Sequence, residues 1–329
     1  MAEFEEMLKG ARVVVDTLTD VKSGEEVLIL TDVNRSFRIA QVVAQAVRER
    51  SGVPVIVLMD TLPVPNAEPP SLVAAAMQNA NVILAFLTKS AYHTQARMRA
   101  SQQGARTISS TEIVEETLVR GLIEADYFGI KPVVDDLSNQ LTAGRRIHVT
   151  SPGGTDLTAS IEGRRANGEI WSRERGQASG APGIEVNIPP LEGTAKGTLV
   201  IDASIATMGL IHEPIRLTIE NGRVTKFEGG NQAEQLSQLI ASTKDVRSYA
   251  LAEIGIGLNP EGTITGNIIE DESAFGTGHM ALGNNTAHGG QNPAPIHLDM
   301  VFSEPTIEVD GQVIVAPGLL KLPSSHASS

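Results

Sequence analysis

The chain has 329 residues, which is long for one hydrophobic core and predicts two domains of about 150 residues each. Hydrophobic residues form 41% and charged residues 20% of the sequence, a balance typical of folded, soluble proteins. The net charge of −13 argues against binding to nucleic acid or to an anionic membrane surface, because both need a basic face. The chain has no cysteine, so any metal ion must be bound by histidine, carboxylate or water.

The N-terminal segment is acidic and amphipathic and does not resemble a secretory signal peptide. No apolar run approaches the roughly 20 residues that a membrane-spanning helix needs. We therefore expect a cytoplasmic protein without a membrane partner.

The first part of the chain alternates between helical and strand patterns, which predicts an α/β domain with a doubly wound, mostly parallel sheet. Apolar periodicity predicts helices over residues 3–20, 37–50, 71–80, after Ala91, 111–122 and 132–143. Short apolar runs predict strands over 27–31, 53–59, 82–87 and near 107–108. The turn at 31–36 lacks a glycine-rich phosphate loop, so we do not expect a nucleotide there.

The second part predicts an α+β metal-binding domain rich in antiparallel strands. Strand patterns fall at 146–150, 157–162, 197–201, 215–220 and 223–228, and a helical pattern falls at 233–243. Asn221-Gly222 is a strong hairpin signal, and a second hairpin is predicted from 307–309 and 312–315. We place the boundary near residue 145, giving domains 1–145 and 146–329.

The candidate chemistry lies in the second domain. His297 and Asp299 are two residues apart in a strand-like stretch, so their side chains share one face. His279 lies 18 residues earlier among glycines, and Glu253 interrupts an apolar run. A carboxylate in such a run needs a partner, which is either a metal ion or an arginine, unless it is exposed at a strand edge. Imidazole and carboxylate together suit zinc, iron, cobalt and manganese.

Four ordered blocks resemble a known family. Residues 252–260, 276–283, 289–292 and 297–299 resemble the leucyl aminopeptidases typified by aminopeptidase T. They also resemble a shorter branch of that superfamily, the 2,5-dihydroxypyridine 5,6-dioxygenases, which are mononuclear non-haem iron enzymes. The resemblance is strongest over residues 183–311 and weaker over the first 140. It implies an α/β first domain and a homo-oligomer.

The aminopeptidases bind two divalent ions through glutamate, histidine and aspartate side chains. One further glutamate is expected in a Gly-Glu-Val context, which matches Glu185 better than Glu192. Carried over by motif, the resemblance implies one or two divalent ions (Zn, Co, Mn or Fe(II)) bound by Glu185, Glu253, His279, His297 and Asp299.

The sequence departs from both branches. Thr286 stands where the aminopeptidases have a tyrosine, and His288 could fill that space. In the dioxygenases a histidine stands where this chain has Glu253, and iron is bound by two histidines and one carboxylate. His279, His297 and Asp299 could rebuild such a set.

Three hypotheses follow for the function. The first is a metal-dependent hydrolase resembling aminopeptidase T, in which one or two ions activate water against an amide and Glu185 or Glu253 is the general base. The alternative is an Fe(II) ring-cleaving dioxygenase acting on a 2,5-dihydroxypyridine-like aromatic. The third is a metal-binding relative without activity. The substrate would be a small molecule or a short peptide, and the candidate substrate contacts are His288, His93 and Thr286.

Overall fold

A computed structural model describes residues 3–111, 113–120, 124–181 and 183–322. The chain divides into two compact units: Met1–Tyr127 with Glu169–Gly183, and Phe128–Gly168 with Ile184–Ser329. This division differs from the predicted boundary at residue 145. The segment 128–144 groups with the later strands, and the segment 169–183 returns to the first unit. Whether 1–145 and 146–329 behave as separate domains stays a prediction.

The helices and strands are numbered in chain order. The helices are α1 Phe4–Arg12, α2 Phe37–Glu49, α3 Ser71–Asn79, α4 Gln95–Gln103, α5 Tyr127–Ala143, α6 Asn231–Ser242 and α7 Ile268–Ser273. The strands of the first half are β1 Glu26–Asp32, β2 Val53–Met59, β3 Val82–Leu87, β4 Arg106–Thr111, β5 Arg146–Thr150, β6 Asp156–Ser160, β7 Asn167–Glu169 and β8 Ala178–Gly180. The later strands are β9 Glu185–Ile188, β10 Lys196–Ile201, β11 Ser204–Ile205, β12 Gly209–Leu210, β13 Ile215–Glu220, β14 Arg223–Glu228, β15 Leu251–Gly257, β16 Thr277–Gly283, β17 His297–Ser303, β18 Thr306–Val309 and β19 Gln312–Val315.

The first unit is built on a parallel sheet with the strand order β2-β1-β3-β4-β8. Strand β3 is buried along its whole length, as a near-continuous apolar run requires. The predicted α/β class with a parallel sheet is therefore confirmed. Strand β8 was not predicted, because three residues of Ala, Ser and Gly carry no strand pattern.

Two helical predictions need correction. The pattern over residues 3–20 forms α1 and then continues as a π-helical stretch, Val13–Leu18. The helix predicted over 111–122 is wrong for the described residues, because β4 extends to Thr111 by pairing with β3. After β4 the described residues contain one short 3₁₀ turn, Glu115–Leu118, while residues 112 and 121–123 lie outside the described part.

Asp32 organises the turn after β1. Its carboxylate accepts hydrogen bonds from the Thr88 amide (2.6 Å) and hydroxyl (2.8 Å), the Asn34 amide (3.0 Å) and the Thr61 hydroxyl (3.1 Å). Burial by itself raises the pKa of Asp32, but these hydrogen bonds outweigh burial and leave that pKa below its usual value. The turn that lacks a phosphate loop is thus held together by a carboxylate, and it joins the ends of β1 and β3.

The second unit contains two antiparallel sheets of seven strands each. Sheet I has the order β14-β13-β10-β6-β5-β18-β19, and it includes the hairpin predicted at Asn221-Gly222, where both residues have positive φ. Sheet II has the order β12-β11-β17-β16-β15-β9-β7, and its strands β15 and β16 are buried at every residue. The predicted antiparallel character of this part is confirmed. No helix in the described residues is long and apolar enough to cross a membrane.

We predict that Asp32→Asn destabilises the protein by about 1–3 kcal/mol at pH 7, because an amide cannot accept the same set of hydrogen bonds. The pKa of Asp32 is lower in the folded state than in the unfolded state. The stability that the ionised Asp32 contributes is therefore complete above the unfolded pKa and is lost as the pH falls through the folded pKa. Urea unfolding should therefore show a smaller difference in the free energy of unfolding between the wild type and Asp32→Asn near pH 3 than at pH 7. The exposed Asp60→Asn variant is the control, and an equal effect at both pH values would contradict the assignment.

Candidate metal centre

The predicted ligands lie on four neighbouring strands of sheet II, β17, β16, β15 and β9. Ala281 is opposite both Asp299 and Glu253, and His279 is opposite Gly255. Residues directly opposite in antiparallel strands project to the same face, as do residues two apart in one strand. The register therefore collects one set of polar side chains on one face: Glu185, Glu253, His279, His297 and Asp299.

A glycine lies at the middle of this face. Gly255 is opposite His279 on one side and Asn187 on the other. A Cβ atom at Gly255 would lie 1.9 Å from His279 Nε2, far closer than atoms can approach. The His279 imidazole therefore lies over the Gly255 backbone, and only glycine leaves room for it.

Glu253 is the carboxylate shared by the cluster, and it is 3% exposed. Its Oε1 atom lies 3.6 Å from His279 Nε2, and its Oε2 atom lies 3.3 Å from His297 Nε2. Within the second unit, two groups of side chains each have ligand atoms within 4.8 Å of one another: Glu185 with Glu253 and His279, and Glu253 with His297 and Asp299. Glu253 thus connects two places that could each hold a divalent ion.

The residues fit a metal ion on their own chemistry. The Oε2 atom of Glu253 is buried and accepts no hydrogen bond of good geometry from the described residues, although imidazole nitrogens lie close to it. A buried carboxylate oxygen without a hydrogen bond is costly unless a cation compensates for it. Nitrogen and oxygen donors of this kind suit Fe(II), Zn, Co and Mn.

The charges of the cluster perturb its pKa values strongly. Burial by itself raises the pKa of Glu253, but attraction to the surrounding imidazoles holds that pKa well below its usual range. Burial by itself lowers the pKa of His279, but the Glu185 and Glu253 carboxylates outweigh it and raise that pKa to about 9. The pKa of His297 is raised in the same way, chiefly by Asp299. A metal ion would take the place of these protons, because it binds the deprotonated ligands.

Backbone carbonyls orient two of the imidazoles. His279 Nδ1 lies 3.2 Å from the Glu272 carbonyl oxygen, and His297 Nδ1 lies 2.6 Å from the Asn284 carbonyl oxygen. A carbonyl only accepts hydrogen bonds, so each Nδ1 carries a proton and donates it. Each Nε2 then faces the carboxylates, which is the arrangement typical of metal-binding histidines.

The structure brings together all five predicted ligands. It also distinguishes Glu185 from Glu192, the less favoured candidate for the same position. Glu192 pairs with Arg164, whereas Glu185 lies 3.6 Å from His279 Nε2. The set of His279, His297 and Asp299 does not form one group among the described residues, because the two histidines face opposite oxygens of Glu253. That these side chains bind metal stays a prediction.

The predicted substrate contacts have different surroundings. His288 lies beside the cluster, with Nε2 3.3 Å from Glu253 Oε2. The Thr286 hydroxyl donates to Asn284 Oδ1 at 2.8 Å. His93 belongs to the first unit, where its amide donates to Asn66 Oδ1 at 3.0 Å. Contact of these residues with a substrate stays a prediction.

An ion pair that the sequence did not reveal supports the loop carrying His288. Arg164 Nη1 donates to the Gly289 carbonyl at 2.9 Å, and Arg164 Nη2 donates to Glu192. Glu192 in turn accepts from the Asn285 side chain (3.0 Å) and the Gln291 amide (2.8 Å). Burial by itself raises the pKa of Glu192, but these donors outweigh it and leave that pKa below its usual value. The sequence alone does not show which carboxylate pairs with Arg164.

The fold and the cluster together define a class of protein: an α/β unit followed by an antiparallel unit with a buried imidazole–carboxylate centre. The chain belongs to the NicX family, described as 2,5-dihydroxypyridine 5,6-dioxygenase, whose family model matches residues 10–321. This is the shorter of the two branches that the sequence blocks resemble, so the suspected superfamily is confirmed.

Individual relatives agree with this assignment. The 2,5-dihydroxypyridine 5,6-dioxygenase of Pseudomonas putida KT2440 is 29% identical over 206 residues, which cover 57% of this chain and 59% of that protein. The solved structure of 2,5-dihydroxypyridine dioxygenase from Pseudomonas putida KT2440 matches with a TM-score of 0.84 and 23% identity over 99% of both chains. Wild-type AmpT from Thermus thermophilus matches with a TM-score of 0.70 and 16% identity, covering 94% of this chain and 96% of that one. The two structures show that this chain shares their fold.

We predict that Gly255→Ala displaces the His279 imidazole, costs about 1–3 kcal/mol of stability through overpacking and weakens metal binding. Thermal unfolding and calorimetric titration with Zn²⁺ measure the two effects. Gly153→Ala is the matched control, because the nearest atom to its added Cβ is a movable side-chain oxygen of Asp202 at 3.0 Å. Unchanged zinc affinity in Gly255→Ala would contradict the proposed position of His279.

We predict that Arg164→Met speeds hydrogen exchange at the amides of residues 285–291, because the loop loses its guanidinium donors while the methionine still fills the buried stem position. The control is Arg145→Met, which removes an exposed ion pair with Glu162 and should leave the loop unchanged. Equal exchange in the wild type and Arg164→Met would show that the pair does not hold this loop.

Proposed function

We propose that this protein is an Fe(II)-dependent ring-cleaving dioxygenase that acts on a 2,5-dihydroxypyridine-like aromatic. The observation that carries the proposal is the group of Glu253, His297 and Asp299, whose ligand atoms lie within 4.8 Å of one another, in a chain whose family model is that of a dioxygenase. The absence of cysteine supports an iron site of nitrogen and oxygen donors.

The ion would be held by His297 Nε2 and by carboxylate oxygens of Asp299 and Glu253. A bound Fe(II) ion would supply the reactivity toward dioxygen that side chains lack. The protein excludes bulk water from this place, because Glu253 is 3% exposed and His279 1%. Low polarity around the cluster strengthens its electrostatic contacts with a charged substrate.

In this arrangement the third carboxylate of the cluster, that of Glu185, remains for proton transfer. Glu185 lies beside His279 rather than beside His297, and it is 6% exposed. A carboxylate so placed can accept a proton from a ring hydroxyl, which makes the ring more electron-rich. We assign this general-base role to Glu185, and we keep Thr286, His288 and His93 as candidate substrate contacts.

A two-ion hydrolase is the second candidate, and one observation favours it. The two oxygens of Glu253 face different ligand groups, Oε1 toward His279 and Oε2 toward His297. Glu253 could therefore help to hold two divalent ions, which in two-metal hydrolases activate water and polarise the scissile bond. Thr286 at the place of the aminopeptidase tyrosine counts against it, because a phenol there can stabilise a tetrahedral oxyanion.

Two expectations complete the proposal. We expect the protein to be cytoplasmic and to form a homo-oligomer. Size-exclusion chromatography with light scattering measures the second directly.

We predict that protein loaded anaerobically with Fe(II) consumes dioxygen when 2,5-dihydroxypyridine is added, and that His297→Ala abolishes this uptake by removing a ligand. An oxygen electrode measures the rate, and the exposed His212→Ala variant is the control that retains activity. The same preparations, loaded with Zn²⁺, Co²⁺ or Mn²⁺, are tested with Leu-p-nitroanilide. Amide hydrolysis with two ions per chain and no oxygen uptake would replace the dioxygenase proposal by the hydrolase.

A further inference from the structure

The outer edge of the parallel sheet is apolar and exposed. Strand β2, Val53–Met59, pairs with β1 through seven consecutive residues and lies at one end of the strand order β2-β1-β3-β4-β8. Its other side has no neighbouring strand among the described residues. None of its residues is charged, and Val53 (48%), Val55 (47%) and Leu58 (53%) are exposed. An uncharged apolar run of this kind is typical of a buried strand, so the exposure of β2 needs a reason.

The other edge strands carry features that prevent pairing with a further strand. Among the described residues, the edge strands β7, β8, β12 and β19 have four residues or fewer. Strand β14 carries Arg223, Lys226 and Glu228, and its register with β13 is interrupted by an irregularity. Short length, charged side chains and bulges are common ways in which edge strands avoid association. Strand β2 is longer than each of these strands and has none of the three features.

The hydrogen bonds of β2 with β1 show which backbone groups face outward. The Val53 amide donates to the Glu25 carbonyl at 2.8 Å, so Val53 faces the inner side. Backbone direction alternates along a strand, so the polar groups of residues 54, 56 and 58 face the open side. Pro54 has no N–H to present there. Ile56 and Leu58 therefore supply the outward donors, and each also presents a carbonyl.

We propose that β2 pairs with β2 of a second copy of this chain, antiparallel and about a two-fold axis at Val57, so that two parallel sheets form one continuous sheet. In this register Ile56 of each copy lies opposite Leu58 of the other, and these residues exchange both of their backbone hydrogen bonds. A register that places Pro54 opposite either residue leaves a carbonyl without a donor. The two-fold symmetry closes the assembly at this edge, so the pairing does not extend into a fibre.

Charge favours a second copy as the occupant of this edge. The net charge of −13 makes two copies repel each other, so close association needs a surface with few charges. Residues 51–81 contain only two charged side chains, Asp60 and Glu68, and the Glu68 carboxylate accepts hydrogen bonds from backbone amides at the start of α4. The same segment exposes Val64 and, at 84%, Leu72. The inference identifies the surface of the expected homo-oligomer and does not depend on the reaction.

The first test is the particle mass of the full-length protein, measured by size-exclusion chromatography with light scattering. Val55→Lys places a charge in the paired edge, and we expect its particle mass to fall to half that of the wild type. Val313→Lys is the matched control, because Val313 is also exposed (44%) and also lies on an edge strand, β19. It should keep the wild-type mass, and thermal unfolding verifies that both variants are folded. A monomeric wild type, or an unchanged mass in folded Val55→Lys, would overturn the proposal.

Cysteine crosslinking tests the register. The chain has no cysteine, so a single introduced thiol can form a disulfide only with another copy. Val57→Cys places two thiols opposite each other at the axis, in a pair whose Cα atoms lie about 4.5 Å apart, within the range that a disulfide spans. We expect a covalent dimer on a non-reducing gel after mild oxidation, and none for Val313→Cys. No crosslink in Val57→Cys of wild-type mass would overturn the proposed pairing.

Hydrogen exchange tests the pairing without a substitution inside the strand's backbone. In the wild type the Ile56 and Leu58 amides should be protected, although an unpaired edge would leave them open to water. Val55→Lys should remove this protection but leave that of Val53, which bonds to Glu25, unchanged. Equal exchange of Ile56 and Leu58 in the wild type and Val55→Lys would overturn the proposal. Failure of the oxygen-uptake assay would leave all of these results unaffected.

Discussion

A carboxylate buried in the middle of an apolar strand is the constraint on which this structure depends. Glu253 lies in β15, where every residue is buried. Removing its charge from water costs several kcal/mol, and the protein offsets this by placing imidazole nitrogens against both carboxylate oxygens. The four neighbouring strands β9, β15, β16 and β17 each contribute a side chain of the cluster, and β15 also contributes Gly255, which makes room for His279. The side chains around Glu253 therefore stabilise sheet II as well as forming the candidate metal centre.

The site depends both on the backbone register of sheet II and on the hydrogen bonds that orient its imidazoles. The antiparallel register places the ligands on one face, and Gly255 leaves space for His279. Hydrogen bonds from Nδ1 to backbone carbonyls then orient the imidazoles of His279 and His297. Carbonyl oxygens of Glu272 and Asn284 make two rings suited to bind metal.

Much of the fold was predictable because its elements carry local patterns. Strands β1, β2 and β3 are apolar runs bounded by polar turns, and the Asn221-Gly222 hairpin has its own turn chemistry. Strand β8 and the short turn at Glu115–Leu118 were missed, because they depend on contacts with β4 and α1 rather than on periodicity.

The candidate site was predictable in its ligands but not in their connections. His297 and Asp299 are neighbours in the sequence, and Glu253 stands out as a charge in an apolar run. Asn167 and Asn187 give no such signal, because asparagine is common in turns. Only the structure shows that Asn187 contacts Glu185 and that Asn167 contacts His288. Nor could the sequence show that Glu253 separates His279 from His297, since that depends on which carboxylate oxygen each ring faces.

The proposed oxygenation depends on an iron ion bound together by Glu253, His297 and Asp299. The most direct measurement is anomalous X-ray diffraction at the iron absorption edge, from crystals of the wild-type protein loaded anaerobically with Fe(II). We expect an iron peak at bonding distance from His297 Nε2 and from carboxylate oxygens of Glu253 and Asp299. Iron bound elsewhere in the chain, with no peak at these three side chains, would contradict it.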